Sequence, residues 1–200
     1  MLETLEFARQ VFEEKVAPAL QKWGYFVLPL EQRTPYEVEW RIGENGGLKI
    51  KLFVSYRKSS DCELMFFGGI SRPTLKLLEK PLTEAAILNK LKYAVEAEIV
   101  WQCRQQLAKL FATANAAVFY PQAKQLEWEV RGGRLYVCSF FASIKKATWR
   151  WDCKVYPLKK IGLADYNNGI SFQLVPTDEI QNPVLALIQL AKISIAEALL

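Results

Sequence analysis

The chain has 200 residues, 51% of them hydrophobic and 24% charged, which is enough for a sizeable core and far from the composition of disordered segments. Histidine is absent, which excludes Ser-His-Asp and Cys-His nucleophile systems and the usual His-bearing zinc and non-haem iron sites, so any catalysis would fall to carboxylates, lysine or tyrosine. The formal net charge is +5.

The segment Met1–Glu6 has no basic leader followed by an apolar run, so the expectation is a cytoplasmic protein. Leu5, Ala8, Phe12, Val16, Leu20 and Trp23 recur at three- and four-residue steps and predict a helix over 2–23, with Gly24 as its stop. Pro18 removes a donor inside that pattern, so its last turn and a half is expected to kink or separate.

Four strands are predicted next, Tyr25–Leu30, Tyr36–Ile42, Leu48–Tyr56 and Cys62–Ile70, with turns at Gly43–Gly47 and Ser59–Asp61. In the second, Tyr36, Val38, Trp40 and Ile42 share one face. Thr83 caps a long helix whose stripe is Leu88, Leu91, Val95, Ile99, Cys103, Leu107 and Leu110; about 30 residues would make it about 45 Å long. Strands return at Leu126–Val130, Arg134–Phe141, Thr148–Tyr156 and Ile170–Val175, the first two joined by the two-glycine signal Arg131-Gly132-Gly133-Arg134. Asn182-Pro183 opens a terminal helix, Val184–Leu200, which at 17 residues and with Lys192 and Glu197 inside it reads as buried rather than membrane-spanning.

The expected fold class is α+β: two antiparallel meanders of about four strands, packed with an N-terminal, a long central and an apolar C-terminal helix. One compact domain over 1–200 is expected, its halves 25–115 and 116–200 being candidates for a duplication. Tyr36–Trp40 and Leu126–Val130 are the most similar pieces. Cys62, Cys103, Cys138 and Cys153 form no C-x-x-C pair and are expected to be buried thiols.

The positive excess is local. Between 131 and 160 lie Arg131, Arg134, Lys145, Lys146, Arg150, Lys154, Lys159 and Lys160 against the single acid Asp152, among aromatic residues. Strand alternation turns Trp149, Trp151, Cys153 and Val155 one way, and leaves Arg134, Tyr136, Arg150, Lys154 and Tyr156 as a surface that could hold phosphates and stack bases. Repeated four-stranded sheets plus helix are similar in outline to PUR-type single-strand binding domains, without a shared motif; the likeness implies a sheet face as the nucleic-acid surface.

Three functions are therefore expected, in order. The first is a non-catalytic binding or assembly module, using a protein partner or self-association through the apolar C-terminal helix and no membrane; the helix–strands–helix order loosely resembles small secretion-chaperone-like domains. The second is single-stranded DNA or RNA binding through Arg131, Arg134, Tyr136, Lys145, Lys146, Arg150, Lys154, Tyr156, Lys159 and Lys160. The third is a metal-dependent nuclease using the D-x-K pair Asp152 and Lys154, with Glu127 or Glu129 as a second acid. No Gly-rich phosphate loop is present, so no cofactor is expected.

Overall fold

The apolar stripe near the amino terminus does form helix, but in three pieces: α1 (Leu2–Val11), a π-helical turn (Phe12–Val16) and α2 (Ala17–Lys22). Pro18 falls in the first turn of α2, where its missing N–H costs least, and the preceding wide turn, closed by Ala17 N–H on the Phe12 carbonyl, absorbs the break. Gly24, at φ +80°, then ends the run. Its N–H reaches the Gln21 carbonyl and that of Tyr25 reaches the Leu20 carbonyl, a pairing that helps to satisfy the last carbonyls of the helix.

The structure is a computed structural model that describes residues 2–29, 37–42, 48–57, 61–67, 74–76, 83–114, 117–121, 125–131, 133–160 and 162–197. The predicted turn Gly43–Gly47, together with Tyr36, Gly132 and the strand ends at Leu30 and Ile70, lies outside these residues. The chain is α+β with antiparallel sheets, and it divides into two units: Met1–Glu98 with Ala142–Thr148, and Ile99–Phe141 with Trp149–Leu200.

The first unit holds α1, α2 and a five-stranded meander, β1 (Val27–Pro29), β2 (Glu37–Ile42), β3 (Leu48–Arg57), β4 (Asp61–Phe67) and β5 (Thr74–Lys76), paired in chain order. Val38, Trp40 and Ile42 of β2 are buried, and the Phe12 ring lies 4.1 Å from Trp40. The first part of α3 (Glu84–Ala112) adds Ile87, Leu91, Ala94 and Val95. The stripe on this helix sits slightly off the predicted line, with Ile87 and Phe111 buried where Leu88 and Leu110 were expected.

In the second unit the rest of α3 contributes Ile99, Cys103, Leu107 and Phe111 to the core. Its sheet runs β6 (Ala117–Tyr120), β7 (Leu126–Val130), β8 (Arg134–Ser143), β9 (Thr148–Lys160), and β9 carries both β10 (Leu163–Ala164) and β11 (Ile170–Leu174) on its far edge. The final helix, α4 (Pro183–Glu197), is tied to this sheet by tryptophan. Trp128, Trp149 and Trp151 donate their indole N–H groups to Ser194 Oγ, the Gln181 carbonyl and the Pro183 carbonyl at 3.0, 2.7 and 2.9 Å. Each large ring thus buries its apolar body and satisfies its one polar group.

The two units repeat one local pattern. In the second strand of each meander, Val38-Glu39-Trp40-Arg41-Ile42 and Leu126-Glu127-Trp128-Glu129-Val130 bury the same three apolar positions around a central tryptophan. The matching register is therefore Val38–Ile42 with Leu126–Val130, two residues along from the pairing expected with Tyr36–Trp40.

Candidate functional site

Strand β9 fixes the geometry of the basic region. Trp149, Trp151, Cys153 and Val155 are buried, while Arg150 and Lys154 are exposed and Asp152 and Tyr156 half-buried, as period-two alternation requires. On β8 the buried face is Tyr136, Cys138, Phe140 and Ala142. Leu135, Val137, Ser139 and Phe141 therefore share the outer face with Arg150, Lys154 and Tyr156.

This corrects the expected surface: Tyr136 is on the opposite side of the sheet from Arg150, Lys154 and Tyr156. Its ring stacks on Trp128 at 5.1 Å and 4°, leaving it 5% exposed, and burial pushes its phenol above the ordinary value. Arg131 and Arg134 are exposed at the β7–β8 turn, which Gly133 closes by donating its N–H to the Val130 carbonyl. With Tyr136, Ser194 and Glu197 they line a cavity of about 320 Å³ on the α4 side.

The outer face holds a groove of about 400 Å³, lined among others by Glu127, Phe141, Asp152, Lys154, Tyr156 and Tyr166. Arg150 donates through Nε to Asp152 Oδ1 at 2.9 Å, and its guanidinium lies 4.9 Å from the Phe141 ring centre. Gln173 donates to the same Asp152 oxygen. Lys154 has no carboxylate in ion-pair range among the described residues. Tyr156 meets Tyr166 edge-on at 4.9 Å, and a Cβ at Gly169 would fall 2.4 Å from Tyr156 Cδ1, so the seat of that ring depends on glycine.

The remaining cations are scattered. Lys159 lies 3.4 Å from Asp165, whose carboxyl is held below the usual range by the Asn168 side-chain amide first, and also by the Asn167 backbone N–H and Lys159. Lys160 is exposed near the end of β9. Lys145 and Lys146 occupy the Ile144–Ala147 turn, which belongs to the first unit.

Of the residues considered for metal chemistry, the acids Glu127 and Asp152 and the base Lys154 line the groove, whereas Glu129 does not. Glu129 is 2% exposed and accepts from the Tyr120 hydroxyl at 2.9 Å and the Gly162 N–H at 3.3 Å; burial, then Glu129 itself, raises the Tyr120 phenol. Among the described residues no cluster of three or more Cys, Asp or Glu is placed to hold a metal ion. Cys103, Cys138 and Cys153 are buried thiols, the last two 2.9 Å apart, and burial raises Cys103 and Cys138 well above the ordinary thiol range.

The terminal helix, expected to be buried, is covered by the described residues on one face only. Pro183, Val184, Leu187, Ile188, Ala191 and Ser194 are buried, but Leu185 is 57% and Ile193 49% exposed. With Gln189, Lys192 and Ala196 they form one exposed stripe at helical spacing. Tyr166 was missed at the sequence level, whereas the terminal helix was expected to serve a protein partner or self-association. Tyr166 lies in a 3-10 turn (Tyr166–Asn168) carrying no strand or helix periodicity, and the stripe mixes Leu185, Ile193 and Ala196 with Gln189 and Lys192.

Among the described residues no helix is long and apolar enough to cross a membrane. Comparison of the chain with family models, with curated proteins and with solved structures finds no match.

Proposed function

We propose that the protein is a non-catalytic binding module that docks another protein chain through its second unit. The observation that carries this reading is the exposed stripe of α4, where Leu185 and Ile193 keep about half their surface open on a helix whose other face is packed on three tryptophans. Apolar surface left in water beside a firmly anchored helix favours association. The nucleic-acid alternative draws less support, because Arg150 and Lys159 are engaged by Asp152 and Asp165, and Tyr136 lies in the core.

A tagged full chain, washed with nuclease and high salt, is expected to retain a protein partner at fixed stoichiometry. Leu185→Glu with Ile193→Glu should release it with the thermal midpoint little changed, since both side chains are exposed. A preparation that yields only salt-removable nucleic acid, or a partner indifferent to the double variant, overturns the reading.

A further inference from the structure

Sheet edges present unpaired backbone N–H and C=O groups, and proteins blunt them with short strands, proline or lysine. Four of the described edge strands carry such a device. In the first sheet β1 has three residues and ends in Pro29, and β5 has three and ends in Lys76. In the second, β6 has four residues followed by Pro121, and β10 has two.

Strand β11 has none along its paired residues, Pro176 following only after Val175. It runs five residues, Ile170-Ser171-Phe172-Gln173-Leu174, with no charge and no proline, and among the described residues it pairs only with β9. Its register with β9 puts Ile170, Phe172 and Leu174 on the same side as buried Val155, Cys153 and Trp151, yet Ile170 is 61% exposed and the following Val175 50%. Ser171 and Gln173 face the other way, beside Lys154 and Asp152.

We propose that β11 seats a second copy of this chain, the two strands pairing antiparallel about a two-fold axis through Phe172. The sequence is self-complementary when reversed. Phe172 meets its own counterpart, Ile170 meets Leu174 of the second copy, and Ser171 meets Gln173, giving aromatic, aliphatic and hydrogen-bonding cross-strand pairs with no like charges opposed. The exposed Ile170 and Val175 sit at the ends of this seam, where a neighbouring chain covers them. This rests on the binding-module reading and names one partner, but through a surface other than the α4 stripe.

The test is the solution mass of the full chain by analytical ultracentrifugation. Wild type should sediment at twice 22.9 kDa. Ser171→Lys with Gln173→Lys sets lysine opposite lysine at two symmetric positions and should weaken the dimer about tenfold or more. Ser171→Glu with Gln173→Lys sets opposite charges there, and within each chain it places the new glutamate beside Lys154 and the new lysine beside Asp152, so it should restore the dimer. Circular dichroism checks that both variants are folded.

A wild type that stays at single-chain mass, or a dimer indifferent to the two-lysine variant, overturns the proposal. A monomer that still holds a nuclease-resistant partner sinks only the dimer. A dimer whose α4 variants lose no partner sinks the α4 reading alone.

Discussion

At the scale of single residues, the second unit is held by indole N–H groups that have left water. Trp128 is fully buried, and its one donor is satisfied by Ser194 Oγ, whose own hydroxyl donates to the Ala191 carbonyl at 2.8 Å. Ser194→Ala deletes little volume but strands that donor, and an unsatisfied buried polar group costs about 1–3 kcal/mol. For a chain of this size that corresponds to a fall of roughly 3–10 °C in Tm. The effect should shrink when Ser194→Ala is added to Trp128→Phe, where no indole donor remains. Equal costs in both backgrounds, read from denaturant unfolding of the four proteins, would assign the serine a packing role instead.

At the scale of elements, α4 depends on its first turn. Asn182 Oδ1 accepts the N–H groups of Val184 and Leu185 at 2.9 and 3.2 Å, and Pro183 takes the first helical position, where no donor is required. Asn182→Ala should cost about 1 kcal/mol and Asn182→Asp far less, checked by urea unfolding followed through far-ultraviolet circular dichroism. This start was legible in the sequence because Asn-Pro is a local signal, and so was α3, whose long stripe contains no Gly or Pro. Strand β9 was equally legible, since its two parities differ in chemistry. Strand β8 was not: Tyr136, Cys138 and Phe140 on one parity and Leu135, Val137 and Phe141 on the other are all apolar enough to bury, so the exposed Arg134 at the strand end misdirected the assignment. What decided it was the hairpin register, which sets Tyr136 directly opposite buried Trp128 and stacks the two rings. The short strands β5, β6 and β10 escaped because two to four residues cannot display a period.

At the scale of the whole molecule, net charge and charged surface are different quantities. Eight cations against one acid between 131 and 160 read in sequence as one patch. In the fold, Arg131 and Arg134 line a cavity beside Tyr136, Lys145 and Lys146 belong to the first unit, and Arg150 and Lys159 are ion-paired. Lys154 shares its groove with Glu127 and Asp152. A single strand laid on the outer face would therefore neutralise few phosphates. With about 0.7 counterions released per phosphate contact, the slope of log affinity against log salt should be no steeper than about −2. Fluorescence anisotropy of labelled oligo-deoxythymidine across a salt series measures it, and Arg150→Glu with Lys154→Glu should change the affinity only a few-fold. A slope several times steeper, abolished by that double variant, would mean that the cations act together, and would rank nucleic-acid binding above protein docking.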